Sequence, residues 1–225
     1  MSYLSVHFYL VRHGQTQLNR SRHLQGITNS SLTPKGIRMA ERLGRELSDI
    51  KFTAVYTSDL KRTQDTAEHI IHNNQYGTPP LYCEPNLREL SFGQFEETKS
   101  VHLMWHAVKN LGMKQLIKAF LNEEHVLEMT ELFRTLPANE QIESFDHLVN
   151  RITQTLRFIG DHTPDESNVL IVTHGLILSS FIESLEGEVP LFLLDNSRAS
   201  LVNYQDGEFE VEYINRIKLR KEREE

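Results

Sequence analysis

The residues best suited to chemistry begin with a basic pair, Arg12-His13, which directly follows the apolar segment 7–11. A short apolar run of this kind predicts a buried strand. Because neighbours on a regular strand point to opposite faces, both side chains can enter one pocket only where the chain leaves the strand. We expect Gly14 to permit that departure through its conformational freedom.

An arginine and a histidine at this place have two interpretations. Ligands of an open α/β sheet bind just beyond the carboxyl ends of its strands, so the pair suggests an anion site that contains a nucleophile. The alternative is a surface loop with two ordinary polar residues. The pair alone does not decide between them, and the decision depends on partners found later in the chain.

Three further side chains follow other predicted strands: Arg62, Glu89 and His174. Arg62 is expected one turn inside a helix that opens at 58–59, where the helix N-terminus adds partial positive charge. His174 follows the most strand-like run of the chain, 169–172, and is itself followed by glycine. Taken singly, an arginine on a helix or a lone glutamate is more often solvated than functional.

The order of the predicted elements brings these side chains together. Alternating strands and helices predict a mainly parallel sheet, and the carboxyl ends of parallel strands share one edge. Two arginines suit the bidentate recognition of a phosphate group, and two histidines with a carboxylate can supply a nucleophile and proton-transfer groups. The side chains expected in one cleft are Arg12, His13, Arg62, Glu89 and His174.

The remaining pattern predicts a three-layer α/β/α sandwich around that sheet, organised as one domain over residues 1–225. Strands are expected at 7–11, 52–57, 81–83 and 169–172, and a terminal hairpin over 200–214 that turns at Asp206-Gly207. Helices are expected over 34–48, from 58 onward, over 142–159 and over 176–185.

The segment 98–136 has no strand-like run, and its apolar residues recur at helical spacing, which predicts a helical cap insertion broken near Gly112 and Pro137. An insertion here either covers the site or is a packing appendage without substrate contact. Four large apolar residues of the cap are compatible with an apolar or aromatic leaving group, although we favour their packing as the cap's own core. They are Met104, Trp105, Met113 and Phe120.

Composition excludes several classes of function. The chain has 225 residues and a net charge of −7, which argues against a nucleic-acid partner. Its single cysteine, Cys83, forms no intramolecular disulfide, and no apolar run is long enough for a membrane span. We therefore expect a cytoplasmic protein.

His102 and His106 have the spacing of a metal-ligand pair on a helix, but no third ligand is spaced with them, so no metal is expected.

These residues resemble the signature of the histidine phosphatase superfamily, also called the phosphoglycerate-mutase-like family. Several matches occur in the family's order, which makes the resemblance far more specific than the opening R-H-G triplet. The matching segments are Arg12-His13-Gly14, Thr16 to Asn19, Gln25-Gly26, Ser31 to Gly36, Ser58 to Thr63, Leu87 to Gly93, Glu143-Ser144 and Thr173 to Gly175.

The resemblance implies a role for each residue of the cleft. His13 is the expected nucleophile, which becomes phosphohistidine, and Glu89 is the expected proton donor to the leaving alkoxide. The phosphoryl group is expected to bind Arg12, Arg62 and His174, with Asn19 and the backbone amide of Gly175 assisting. Neither a cofactor nor a metal is implied, because the arginines supply the positive charge.

Within that family two departures favour a phosphatase over a mutase. Family mutases usually have glutamate where this chain has Gln15, and their long basic insertion is replaced by the shorter cap of mixed charge. A phosphoglycerate-mutase-type isomerase and a non-catalytic phosphate-binding module remain the alternatives. The segment Phe95-Glu96-Glu97 also departs from the F-G-x-W-E-G of many family phosphatases, which leaves open which small phosphorylated metabolite is the substrate. The oligomeric state is not fixed by the sequence.

Overall fold

The computed structural model describes residues 5–137, 142–187, 189 and 194–216. Its strands form one sheet in the order β3-β2-β4-β1-β5-β6. Strands β1 to β4 run parallel, whereas β5 lies antiparallel to β1 and β6 antiparallel to β5, so the predicted mainly parallel sheet is confirmed. The strands are β1 Ser5–Arg12, β2 Phe52–Thr57, β3 Leu81–Cys83, β4 Ser167–Thr173, β5 Ala199–Gln205 and β6 Glu208–Arg216.

Helices cover both faces of this sheet, as the predicted α/β/α sandwich requires. Alternate residues of β1 point into two separate apolar clusters, Phe8 into one and Tyr9 into the other. The first cluster is shared with α7 and α8 and the second with α2 and α3. The helices are α1 Gln17–Arg20, α2 Pro34–Glu46, α3 Lys61–Ile71, α4 Ser100–Leu111, α5 Met113–Phe120, α6 His125–Arg134, α7 Phe145–Asp161 and α8 Gly175–Glu186.

The start of α3 differs from the prediction. The helix begins at Lys61, and its N-cap Leu60 offers no side-chain hydrogen bond. Arg62 is therefore the second residue of the helix rather than one turn inside it. The hydroxyl of Ser58 accepts a bond from the backbone N–H of Leu60 but also bonds to other side chains, so Ser58 belongs to the turn before the helix.

The start of α7 also differs from the prediction. It begins at Phe145 after a Ser144 cap rather than at residue 142. Ser144 accepts the backbone N–H of His147, which satisfies one of the unpaired donors of the first helical turn.

The cap helices α4, α5 and α6 share an apolar cluster of their own, which includes Leu103, Leu116 and Leu136. The helix break at Gly112 is confirmed, and the residue has φ +85 in a backbone conformation that favours glycine. The prediction that four large apolar residues form the core of the cap is wrong, because these side chains are exposed rather than buried. Their exposed fractions are 41% for Met104, 63% for Trp105, 55% for Met113 and 39% for Phe120.

Across the described ranges, no helix combines the length and the apolar character that crossing a membrane requires.

Candidate active site

The carboxyl ends of β1 and β4 lie side by side and place the two histidines against each other. Arg12 pairs with Thr173 in the parallel register, and the backbone N–H of His13 donates to the Thr173 carbonyl at 2.9 Å. The next residue of β4's connection is His174, whose ring lies edge-on to that of His13 with centroids 5.2 Å apart. Both rings are buried, and the predicted meeting of the two strand ends is observed.

Gly14 is required for a different reason from the one expected. Its φ lies outside the left-handed region, so conformational freedom is not the cause. A Cβ at this position would lie 2.9 Å from the carbonyl oxygen of Gly36, at the start of α2. The glycine therefore allows α2 to approach the strand end, while its own N–H donates to Thr66 Oγ1 at 2.9 Å.

Hydrogen bonds fix the tautomer of His13. Its Nδ1 lies 2.8 Å from the carbonyl oxygen of Gly14, which can only accept, so Nδ1 carries the proton. Nε2 accepts from Arg62 Nε at 3.2 Å and is unprotonated. Burial first, and then the charges of Arg62 and Arg12, hold the pKa of His13 well below its ordinary value. The site therefore contains a neutral imidazole whose Nε2 lone pair faces an arginine.

His174 is held in the opposite tautomer. Its Nδ1 accepts from Arg62 Nη2 at 2.9 Å, so Nε2 carries the proton and donates to Ser58 Oγ at 2.8 Å. Ser58 Oγ is in turn 2.8 Å from Thr63 Oγ1, which extends the chain of hydroxyls. Burial and the neighbouring Arg62 also hold the pKa of His174 well below its ordinary value.

Arg62 is fully buried and joins the two rings, contrary to the solvated position most common for a helical arginine. Besides the two histidines, it donates from Nη1 to the Thr28 carbonyl at 2.8 Å and from Nη2 to the Gly26 carbonyl at 2.5 Å. Burial lowers the pKa of Arg62 to about 10, which leaves the guanidinium charged at neutral pH. Its planar fork thus fixes the relative position of both imidazoles.

Arg12 lies beside the first residue of α8. Its Nη1 donates to the Leu194 carbonyl at 2.7 Å, and its Nε is buried without a partner among the described atoms. A Cβ on Gly175 would lie 3.0 Å from both Nε and Cζ of Arg12, so a glycine is needed for the guanidinium to pass the helix start. An unpartnered buried N–H is costly, which suggests that a ligand oxygen completes it.

Glu89 sits at the N-terminus of the same helix. Its Oε1 accepts from the backbone N–H groups of Leu90 and Ile177, both at 3.0 Å, and its Oε2 accepts from Leu176 at 2.9 Å. Burial raises the pKa of Glu89 above its ordinary value, while these N–H donors and the charge of Arg12 oppose the rise. The carboxyl group is therefore fixed in place and poised to exchange a proton.

A cleft of about 340 Å³ is lined at one end by Arg12, Asn19 and Glu89, whereas the buried side chains of His13, Arg62 and His174 lie outside its lining. Asn19 belongs to the short helix α1, where its Oδ1 accepts the backbone N–H of Thr16 at 3.3 Å. The cap helices supply the opposite wall of the same cleft, including Met104 and Phe120. The cap is thus part of the cleft wall.

Two positioning residues carry no role in the sequence-based prediction. Glu96 accepts the backbone N–H groups of Gly26, Ile27 and Phe92, at distances between 2.9 and 3.2 Å, and so fixes the loop whose carbonyls hold Arg62. Ser58 holds His174, as described above. Ser58 and Glu96 both lie in segments that correspond to the family motif. Their hydrogen-bond partners, however, depend on how the loop folds and cannot be read from the motif.

In the part of the chain that the structure describes, no group of three or more His, Cys, Asp or Glu side chains is placed to hold a metal ion. The predicted pair His102 and His106 lies on α4, where the His106 ring packs against Phe95 with centroids 5.3 Å apart.

The fold and the paired histidines on adjacent strand ends define the class of protein. The model of the histidine phosphatase superfamily (branch 1) matches residues 8–217. The chain therefore belongs to the histidine phosphatase superfamily, and the resemblance drawn from the sequence motifs is confirmed.

Named relatives include both mutases and phosphatases. A protein of Erwinia tasmaniensis, named as a probable phosphoglycerate mutase, is 34% identical over 179 residues, which cover 80% of this chain and 74% of that protein. The crystal structure of a phosphoglycerate mutase from Bacillus anthracis is 30% identical with a TM-score of 0.86, covering 96% of this chain and 95% of its own. The alpha-ribazole phosphatase from Shigella flexneri is 25% identical with a TM-score of 0.72, covering 96% and 99%.

Proposed function

We propose that this protein is a phosphomonoester hydrolase that acts through a phosphohistidine on His13. The observation that carries the proposal is the tautomer of that ring. With the proton held on Nδ1 by the Gly14 carbonyl, the Nε2 lone pair is free of a proton and lies 3.2 Å from the guanidinium of Arg62. A neutral nucleophile beside fixed positive charge is the arrangement that phosphoryl transfer requires.

The first displacement uses the groups of the cleft as follows. The Nε2 lone pair of His13 forms a bond to phosphorus, and the bond between phosphorus and the ester oxygen breaks. In this step the Nε–H of Arg62 stops donating to His13 Nε2 and donates to a phosphoryl oxygen instead. The unpartnered Nε of Arg12 supplies a second donor. The carboxylic proton of Glu89 passes to the leaving oxygen, which departs as an alcohol.

The second displacement returns the enzyme to its starting state. The Glu89 carboxylate accepts a proton from water while the water oxygen bonds to phosphorus. The bond between phosphorus and Nε2 breaks, and its electron pair returns to the His13 ring. Inorganic phosphate leaves, and Glu89 is again protonated. Because the charge on phosphorus is met by arginines, we expect the activity to survive a chelator such as EDTA.

The second candidate is a phosphoglycerate-mutase-type isomerase, which the names of the Erwinia and Bacillus relatives favour. Both candidates share the phosphohistidine and differ in what receives the phosphoryl group: water in a hydrolase, a second hydroxyl in a mutase. Gln15 in place of the glutamate of family mutases supports the hydrolase. A phosphate-binding module without catalysis is the third possibility, which would form no phosphohistidine.

Two measurements in sequence separate the three candidates. The purified protein is mixed briefly with a phosphomonoester, quenched at alkaline pH and digested for mass spectrometry, with His13→Ala as the control. Phosphorylation of His13 supports an enzyme, and an unmodified His13 under every condition overturns the proposal. Product analysis with 3-phosphoglycerate then distinguishes free phosphate, which indicates hydrolysis, from 2-phosphoglycerate, which indicates isomerisation.

A further inference from the structure

The cleft over the candidate site is apolar beyond its catalytic end. Side chains from the cap and from the loops before it form this wall. The apolar residues of this wall include Leu24, Leu103, Met104, Phe120, Val126 and Met129. Met104 and Phe120 are large apolar residues with exposed fractions of 41% and 39%, so they meet the cleft rather than the core of the cap. An exposed apolar wall that faces a polar site is the usual form of a pocket for an apolar group.

The arginine and the carboxylate that line the cleft both lie at its catalytic end. Of the described residues that line it, Arg12 is the single arginine or lysine, and Glu89 is the single acid. Arg12 is already assigned to the phosphoryl group. A substrate that carries a second phosphate or a carboxylate would therefore bury that charge against methyl, thioether and phenyl groups, which is costly.

Several polar side chains that line the cleft already have partners within the protein. Gln25 accepts from Thr16 Oγ1 at 2.6 Å, and Ser179 Oγ donates to the Gly175 carbonyl at 2.8 Å. His125 lies at the cap end, where Nδ1 is 3.3 Å from the Glu123 carbonyl oxygen. These three side chains therefore make little demand for hydrogen bonds from a ligand.

We propose that the substrates are monophosphate esters whose alcohol is apolar and uncharged, such as an alkyl or aryl alcohol, and that Met104 and Phe120 contact this group. The inference depends on the proposed function, since it names the leaving group of the same site. It predicts discrimination against phosphoglycerates and phosphoserine, because no lysine or arginine lines the cap half of the cleft to meet their carboxylates.

A homologous series of alkyl phosphates, from ethyl to octyl, tests the proposal. The leaving alcohols have nearly equal reactivity, so differences in kcat/KM report burial of the chain in the cleft. We expect kcat/KM to rise by about three- to fourfold for each added CH₂, until the cleft is full. The same preparation should hydrolyse 3-phosphoglycerate and phosphoserine more slowly than butyl phosphate.

Two substitutions of the same type make the test specific to the cleft. Met104→Lys places a cation in the apolar wall, and should reduce the advantage of octyl over ethyl phosphate by about tenfold or more while raising the rate with 3-phosphoglycerate. Met113→Lys is the matched control, since Met113 lies in the same cap, is 55% exposed and does not line the cleft. It should leave the chain-length dependence unchanged.

The outcomes separate this inference from the proposed function. A flat chain-length series in a protein that forms phosphohistidine on His13 overturns the substrate class and leaves the hydrolase proposal standing. If kcat/KM rises with chain length equally in Met104→Lys and Met113→Lys, the selectivity arises in another part of the molecule. That result also overturns the proposed substrate class. Absence of any phosphohistidine defeats the proposed function itself.

Discussion

Nε of Arg62 donates to Nε2 of His13 at 3.2 Å, so the unprotonated nitrogen of this ring, the proposed nucleophile, already lies beside a cation. The same guanidinium reaches His174 through Nη2 and two loop carbonyls through its remaining donors. A single buried side chain thus connects β1, α3, the residue after β4 and the loop at 26–28. The candidate site is organised around this fork more than around either imidazole.

The first prediction concerns that fork. Arg62→Lys keeps the charge but has a single nitrogen, which cannot reach both rings and both carbonyls. We expect kcat/KM with a phosphomonoester to fall by about 10²- to 10³-fold, the loss typical of one preorganised donor. Steady-state kinetics measure it. Arg42→Lys is the control, because Arg42 lies on the exposed side of α2 in an ion pair with Glu46. Equal rates in the two variants would remove Arg62 from the site.

The second prediction concerns Glu89 as the proton donor. Glu89→Gln can still accept the N–H groups at the start of α8 through its amide oxygen, but it has no acidic proton to give. We expect the rate with an alkyl phosphate to fall by ~10²- to 10⁴-fold, and the rate with 4-nitrophenyl phosphate to fall much less, because nitrophenolate leaves without protonation. Pre-steady-state release of the alcohol and of nitrophenolate measures both, because these products leave in the first displacement, before the hydrolysis that the two substrates share. An equal loss with the two substrates contradicts the acid role.

The sequence was sufficient to place the side chains of the site, because strand ends in a parallel sheet have few possible positions. Arg12, His13 and His174 lie where the strand pattern puts them, and the sandwich follows from the alternation of elements. Arg62 lies beside both histidines, although its helix begins later than expected. What these predictions share is that they depend on backbone direction alone.

Other features depend on side-chain partners, which no periodic pattern contains. The Gly14 carbonyl and Ser58 fix the tautomers of the two histidine rings. The position of Arg62 depends on a loop that Glu96 fixes. The prediction for the core of the cap was wrong for a related reason. Helical spacing identifies an apolar face, but it does not show whether that face contacts the cap's own core or the cleft. Met104, for example, lines the cleft.

The third prediction concerns stability in acid. The pKa of His13 and that of His174 lie well below the ordinary value near 6.5, so below about pH 6.5 the unfolded chain binds protons that the folded protein does not. The free energy of unfolding must therefore fall as the pH falls, by up to ~1.4 kcal/mol per pH unit for each ring. Glu89, whose pKa is raised, acts in the opposite sense at lower pH.

A comparison with His13→Asn isolates one ring, because the carboxyl contributions are common to both proteins. Urea unfolding at pH 7 and pH 5 should show that the wild type loses up to about 2 kcal/mol more than the variant over this interval. His102→Asn, an exposed substitution on α4, provides the background value. A wild type and a His13→Asn variant with parallel pH slopes would mean that His13 is not held neutral by the fold.

The last prediction concerns Glu97, which stands where many family phosphatases have glycine. Its φ of 59 lies in the left-handed region, where a side chain other than glycine is strained, and its side chain is exposed. Glu97→Gly should raise the free energy of unfolding by ~0.5–1 kcal/mol, the relief of strain exceeding the entropy that glycine adds to the unfolded chain. Urea titration at pH 7 measures the change. Glu186→Gly, an exposed replacement of the same type at the end of α8, should instead lower it by a similar amount. Destabilisation by both glycines would show that the turn before the cap tolerates Glu97 without strain, and that the departure from the family motif has no energetic cost.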